Sequence, residues 1–286
     1  MFVFNLYFSV LDSVKNLSSG LCNVSECEAV LKVKKVTLGD SESTYCCMGE
    51  SPPGVKWIEH LGESREWFKA NLGKHVEGYH LIDDNGKVVG HVYYASSERA
   101  LLPFEVEPKV AFVYCTEMLR SYTRKGYGKL MFDYMKADLK GQGWKGILVD
   151  ATDIREYMYH EHFSKQGFKT ILEHRPFKLM YFPLNQPTVK AKPVEINYTP
   201  SKDKAEVTLF NLPFCPVGAY MHHTIKRIAQ SFGDKVTIVE IEPTQETIRR
   251  IGTTDPLING KIKLFGPASE EDIKKAIQEE ISQLKH

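Results

Sequence analysis

Gly126 and Gly128 stand one residue apart, with Arg124, Lys125 and Lys129 around them. Lacking a Cβ at either glycine, the chain can turn tightly and let successive backbone N–H groups converge on an anion. An apolar run over 110–115 leads toward this segment and an amphipathic pattern over 127–140 follows it, so a strand delivers the chain and a helix carries it away. That helix offers the unpaired N–H groups of its first turn and the positive end of its dipole. The pattern predicts a phosphate cradle, suited to several phosphates in a row as in a pyrophosphate.

Two common phosphate loops fail on spacing. A Walker loop ends in Gly-Lys-Ser/Thr with an earlier glycine about five residues back, but Lys129 is followed by Leu130 and position 123 is Thr, so no hydroxyl stands ready for magnesium. The dinucleotide fingerprint wants a third glycine where this chain has Met131, although Asp150 lies at a suitable distance downstream.

The elements that must hold the loop are legible on both sides of it. Downstream, Gly143-Trp144-Lys145 stops the helix and an apolar run over 146–149 ends in Asp150-Ala151. A short helix is expected over 157–166, closed by Gly167, and strands over 168–173 and 179–184. Upstream, a strand is expected over 33–38 and an amphipathic helix bearing Trp67 and Phe68 over 64–71. Two strands over 78–82 and 88–95 flank the hairpin turn Asp83-Asp84-Asn85-Gly86.

With that order, Thr123-x-x-Gly126-x-Gly128 resembles the acetyl-CoA loop of the GNAT superfamily of N-acetyltransferases, usually Gln/Arg-x-x-Gly-x-Gly/Ala after the fourth strand. Thr123 departs from the usual first residue and removes one side-chain contact while leaving the backbone donors. The phrase Phe163-Ser164-Lys165-Gln166-Gly167-Phe168 is similar to the Tyr-x-x-x-Gly-Phe signature of the same family. The resemblance covers residues 31–184. A closer likeness is to the subgroup with a YoaP-like C-terminal domain, on Cys46-Cys47, Gly126-Tyr127-Gly128-Lys129, Lys165-Gln166-Gly167-Phe168 and Cys215-Pro216.

The resemblance implies acetyl-CoA as cosubstrate. Backbone groups of Met118 and Arg120, with Leu119 between them, would pair with the pantetheine amides, and Arg124, Lys125, Gly126, Tyr127, Gly128 and Lys129 would hold the pyrophosphate. The family's tyrosine, which in many members faces the CoA sulfur, is Phe163 here and cannot donate a proton. Tyr159 and His160, one helical turn earlier, are candidates to replace it, or the thiolate leaves unassisted. Glu117, beside the bulge expected on the fourth strand, is the candidate base, with Tyr114 three residues before it. Each has a blander reading: an aromatic on a short helix is commonly core, and a strand-edge glutamate is commonly solvated. Cys115 reads as core. Glu105 and Glu107 could receive a cationic acceptor. His222 and His223 have no ligand partner at readable spacing and read as surface histidines.

Composition bounds the rest. Thirty-seven basic and 36 acidic residues leave a net charge of +1 with no long run of either sign, unlike a dedicated nucleic-acid binder, and no nucleic-acid partner is expected. Residues 1–11 are apolar but too short to span a bilayer and lack a secretory cleavage site, so no membrane partner is expected and residues 1–30 read as an N-terminal extension. Cys22, Cys27, Cys46, Cys47, Cys115 and Cys215 fit no trusted zinc spacing and read as reduced cytoplasmic thiols.

Residues 185–194, with two prolines and no apolar periodicity, read as a stiff exposed linker. Residues 195–286 then suffice for a second domain, with strands over 206–210, 235–241 and 262–265 and helices over 216–232, 245–251 and 270–284. That order resembles a thioredoxin-like fold, in which Cys215 at a helix N-terminus would be a candidate reactive thiol of lowered pKa. Gly218 occupies the place of the usual resolving cysteine, so the alternative is a structural thiol; Pro256 resembles the fold's conserved proline. The fold class expected is α/β: a GNAT acyltransferase fold, mixed and mostly antiparallel with flanking helices, followed by a smaller thioredoxin-like α/β domain. The function expected is acetyl-CoA-dependent N-acetylation of a primary amine of a small molecule or a protein. The alternatives are a noncatalytic acyl-CoA-binding module and a thiol- or metal-handling protein centred on Cys215. Oligomeric state is not legible.

Overall fold

Alternating large apolar residues on either side of Asp83-Asp84-Asn85-Gly86 form the expected hairpin, β2 (Glu77–Ile82) with β3 (Val88–Ser96), and Gly86 takes the positive φ that the turn requires. The structure is a computed structural model that describes residues 31–284 except Glu156, Arg175, Lys202 and Phe265. The extension expected over 1–30 lies outside the described residues.

Before the hairpin come β1 (Lys32–Lys35) and α1 (Leu61–Asn71); after it come a short β4 (Phe104–Val106), β5 (Val110–Met118), α2 (Tyr127–Gly141) and β6 (Gly146–Thr152). Next are α3 (His160–Lys165), β7 (Lys169–His174) and β8 (Phe177–Pro183). Seven strands make one sheet in the order β1-β2-β3-β5-β6-β8-β7. Every neighbour is antiparallel except β5 and β6. Strand alternation gives the sheet two faces. Val92 and Tyr94 of β3 pack with Met131, Phe132, Met135 and Leu139 of α2, whereas Tyr93 packs with Phe68 of α1 on the other side.

Parallel β5 and β6 part company early. Their pairing stops at Val113 opposite Val149, although β5 runs on to Met118 and β6 to Thr152. On its other edge β5 carries a bulge: Tyr93 faces Cys115 and Tyr94 faces Val113, so Tyr114 is the extra residue. A bulge bends and twists its strand, and here it turns the second half of β5 away from β6.

The stretch expected to be a stiff exposed linker is hydrogen-bonded to the rest of the chain. β9 (Ala191–Pro193) pairs antiparallel with β4. Glu107 accepts from Lys145 at 2.6 Å, the Lys190 backbone N–H at 2.8 Å and Gln186 at 2.9 Å, and these donors, Lys145 first, hold its carboxyl down at about 2. Glu105 pairs with Lys192. Both acidic residues considered for an acceptor therefore anchor this crossing.

The remaining chain folds as β10 (Ala205–Phe210), α4 (Pro216–Gln230), β11 (Val236–Ile241), α5 (Gln245–Ile251), β12 (Leu257–Ile258) and α6 (Glu270–Gln283). The sheet order is β11-β10-β12, with β10 parallel to β11 and antiparallel to β12. The strand expected over 262–265 is not formed among its described residues; pairing ends in a single bridge between Ile258 and Lys261. Glu280, 1% exposed, takes the place of that strand as the tie, accepting from Asn259, Lys261 and Lys263.

This second sheet docks onto the α1 face of the first through α4 and Phe214, two residues before it. Phe214 lies 5.1 Å from Tyr114, 5.6 Å from Trp67 and 6.4 Å from Tyr93 between ring centroids. The Tyr45 hydroxyl donates to the Phe214 carbonyl. No helix of the described residues is long and apolar enough to cross a membrane.

Two predictions follow from the packing. A Cβ on Gly146 would lie 2.2 Å from the Tyr181 ring, whose hydroxyl is fixed on the Lys145 and Gln186 carbonyls. Gly146→Ala should lower stability by about 1–3 kcal/mol in urea unfolding, the usual cost of overpacking. His80 and His91 are fully buried, and desolvation pulls them down to about 4 and about 3. The unfolded chain binds these protons near pH 6.5 while the folded one does not, so stability present above that pH is lost as it falls toward 4. The unfolding free energy from urea titrations should drop by up to about 1.4 kcal/mol per pH unit for each histidine, and His91→Phe should flatten the dependence.

Candidate functional site

Residues 120–129 emerge from the free end of β5 and are mostly exposed, with Tyr122, Tyr127 and Gly128 half-buried, as a ligand loop must be. A 3-10 turn over Arg120–Tyr122 begins the loop, and the Thr123 side chain closes it by donating to the Arg120 carbonyl at 2.8 Å. Thr123 therefore serves the loop's own geometry rather than a ligand. Tyr122 donates to Asp83 at 2.9 Å and ties the loop to the β2–β3 turn. Arg124 and Gly126 both take left-handed backbone, at φ 60° and 81°. Such alternation turns successive N–H groups to one side and makes an anion nest.

Gly126 is also the N-cap of α2, with no side-chain cap, so the first N–H groups of a 15-residue helix open onto the same place. A Cβ at Gly126 or Gly128 would meet nothing within 4 Å, so the space over the loop is open. Arg124 and Lys125 are exposed beside it. Lys129 is partly committed, through its ion pair with Asp133. The residues present fit a pyrophosphate.

At the root of the loop two backbone donors hold carboxylates. The Met118 N–H donates to the Glu117 side chain at 3.0 Å and the Arg120 N–H to Glu50 at 2.6 Å, while Leu119 is buried and its N–H is bonded to Val89. Glu117 is exposed at the mouth of the β5–β6 opening, yet loss of solvent around it raises its carboxyl above the usual range. The Met118 N–H opposes that rise, Glu50 adds to it, and Arg120 opposes it.

Behind Glu117 lies a pocket of thiols and aromatic rings. His91 sits between Cys46, 3.3 Å from its Nδ1, and Cys115, 3.6 Å from its Nε2, and stacks on Tyr93 at 4.2 Å. Burial pushes the Cys46 thiol up to about 12 and Cys47 and Cys115 up as well. Cys215 is the N-cap of α4 with Pro216 in the first turn, as the sequence implied. Its thiol is nevertheless raised: burial outweighs the N–H groups of Gly218 and Val217. The lowered pKa expected of a helix N-terminus is thus corrected, because the docked α1 face strips water from the sulfur.

Three residues expected near the sulfur end are placed otherwise. Phe163 is core, against Phe132 and Phe168. Helix α3 starts only at His160, and Tyr159 is its N-cap, its phenol hydrogen-bonded to Glu161. His160 pairs with Asp153 at 3.4 Å. Tyr157 is the aromatic not singled out from the sequence: it is 58% exposed. Burial raises Asp255, and Asp150 adds to that. A helix assumed to begin at 157 hid Tyr157; the clue was the Thr152 hydroxyl, which donates to its carbonyl and holds the residue beside the end of β6.

Two shallow surface hollows lie elsewhere. One, lined by Glu77, Arg99, Lys109 and Trp144, is at the opposite end of β5, and the other flanks the β4–β9 pair. Neither has a glycine loop or a helix N-terminus.

A search of the curated proteins finds no match. Among solved structures, the ribosomal-protein-S18-alanine N-acetyltransferase from Escherichia coli is similar at 13% identity and a TM-score of 0.40, over 56% of this chain and 97% of that one. The Paia N-acetyltransferase from Thermoplasma acidophilum, in complex with coenzyme A, is similar at 13% identity and 0.38, over 54% and 99%. Spermidine N-acetyltransferase from Vibrio cholerae is similar at 12% identity and 0.39, over 54% and 94%. Such distant likenesses add nothing to the family match. The model of the Acetyltransferase (GNAT) family covers residues 46–168, from the cysteine pair through the glycine loop to Phe168. Residues 46–168, with their one parallel strand pair opening beside that loop, are a GNAT acetyltransferase domain.

Proposed function

We propose that the protein transfers an acetyl group from acetyl-CoA to a primary amine of a small molecule or a protein. The observation that carries this reading is the left-handed pair Arg124 and Gly126 at the start of α2, beside the place where β5 leaves β6. Acetyl-CoA is the cosubstrate of this domain. Its pyrophosphate suits the nest and the helix N-terminus, and its pantetheine amides suit Met118 and Arg120 once their N–H groups exchange the Glu117 and Glu50 carboxylates for ligand carbonyls.

The thioester then lies between the diverging arms. Glu117, released from the Met118 N–H and raised by its surroundings, takes the proton from the acceptor ammonium. The amine lone pair attacks the acetyl carbon, a C–N bond forms, the nitrogen gives up its second proton to solvent, the C–S bond breaks and its electron pair leaves on sulfur. Tyr157 supplies the proton to that sulfur, in the role that Phe163 cannot fill and for which Tyr159 and His160 are turned to Glu161 and Asp153. A phenol is protonated at neutral pH, as an acid must be.

The second sheet narrows the acceptor's approach. Phe214, Cys215 and Asp255 face the opening from that side, and residues 195–286 act as a thioredoxin-like, YoaP-like domain that selects the acceptor. The raised Cys215 thiol supports a structural role there over thiol chemistry. The protein works in the cytoplasm, where its cysteines stay reduced.

Acetyl-CoA should raise the melting temperature of the wild-type protein. Gly126→Val puts a β-branched residue at φ 81°, a strain of order 1–3 kcal/mol, and should weaken acetyl-CoA by roughly 5- to 150-fold; equal affinity would remove the loop from the site. Steady release of free CoA across an amine panel reads turnover. Glu117→Gln should cut kcat by roughly 10²–10⁴-fold and abolish an acid limb lying above the ordinary carboxylate range, because activity requires the deprotonated form. Tyr157→Phe should depress kcat by a similar factor with the acetyl-CoA shift intact, and unchanged turnover would return the leaving group to water.

A further inference from the structure

His223, which from sequence has no partner, finds two across the junction between the sheets. His60 and Glu63 lie at the start of α1, with His60 as its N-cap and Glu63 in its first turn. His223 lies on the face of α4 that packs against this segment. His223 Nε2 is 3.0 Å from Glu63 Oε2 and 3.2 Å from Oε1, and His60 Nδ1 is 3.2 Å from the same Oε2. The two imidazoles stack at 4.8 Å with 16° between planes, so their nitrogens converge from one side on one carboxylate. All the ligand atoms of the trio lie within 4.8 Å of one another.

We propose that His60, Glu63 and His223 bind a divalent transition-metal ion of the zinc class, which fastens α4 to α1. The spacing carries the inference. A tetrahedral ion with bonds of about 2.0–2.1 Å holds its ligand atoms about 3.3 Å apart; the His–Glu separations of 3.0 and 3.2 Å already match it, and the two imidazole nitrogens, within the trio's 4.8 Å span, close onto an ion by rotation of exposed side chains. Two imidazoles and a carboxylate make a donor set that zinc uses, with water in the remaining position. Hard cations such as magnesium and calcium prefer all-oxygen sets.

The surroundings favour a fixed site over a chance meeting of surface groups. Helix geometry places His60 and Glu63 on one face, three residues apart. The Tyr220 ring, one turn before His223, lies 6.0 Å from the His60 ring and 6.4 Å from Trp57. The trio is solvent-accessible, with side-chain exposures of 21%, 37% and 49%, so an ion can reach it. It stands apart from the glycine loop, and no acetyl-transfer step uses it. An ion here would hold the second sheet in register over the opening that contains Glu117 and Tyr157.

The test uses the full chain, chelator-treated and reduced, titrated with Zn²⁺ against a chromophoric competitor and, separately, with Co²⁺. One equivalent of Zn²⁺ should bind and raise the melting temperature. Binding should weaken at least about tenfold, the loss that even an outer-shell partner brings, in Glu63→Gln and in His223→Ala, which alter accessible side chains. Cys215→Ser should bind as the wild type does. Co²⁺ should give visible ligand-field bands without the near-ultraviolet charge transfer of a thiolate. The proposal is overturned by absence of Zn²⁺ binding, by equal affinity in Glu63→Gln and His223→Ala, or by a thiolate signature that disappears in Cys215→Ser.

Discussion

The parting of β5 and β6 is the constraint on which the rest of the molecule depends. Two parallel strands share four residue pairs and then diverge, because the extra residue at Tyr114 bends β5 while β6 stays with its antiparallel partner β8. Backbone groups that would have satisfied each other are thereby left to find other partners. At the end of β5 two N–H groups turn to the side chains of Glu117 and Glu50. A ligand with amides of its own suits such an edge, since exchange of one acceptor for another leaves no buried donor unpaired.

The divergence also sets where everything else must stand. Helix α2 has to begin where β5 ends, and its N-terminus points its unpaired N–H groups into the gap. Tyr122 on Asp83 fixes the loop from the hairpin side, and Thr123 spends its hydroxyl on the turn. The third wall comes from the far end of the chain. Phe214 packs among Tyr45, Trp67, Tyr93 and Tyr114, which places Cys215 behind the opening and excludes water from its sulfur. Burial of four thiols and a neutral His91 in one pocket makes that wall apolar in effect although its residues are polar in type.

Corrections to the sequence reading share one cause, which is contact between distant segments. The prolines of the stretch over 185–194 suggested a stiff exposed linker, and local pattern did not show that Glu107 and β4 would bind it. Cys215 has the helix N-terminus that ordinarily lowers a thiol's pKa, yet the face docked on it removes water and reverses the sign. Tyr159 and His160 lie at the expected distance before Phe163, but α3 starts only at His160, and the two side chains turn to Glu161 and Asp153. His223 looked solitary because its partners are 160 residues away in sequence.

Local pattern alone determined the hairpin at Asp83-Asp84-Asn85-Gly86, the strand-loop-helix around Gly126 and Gly128, and the order of most strands and helices. Those features follow from backbone preference and apolar periodicity, which neighbouring residues settle among themselves. Only the tertiary structure decided which acids and phenols face the opening, what happens to the cysteines, how the late chain packs on the early one, and that two histidines and a glutamate meet. Desolvation and the aim of a side chain depend on what packs against it, and that partner is written elsewhere in the chain.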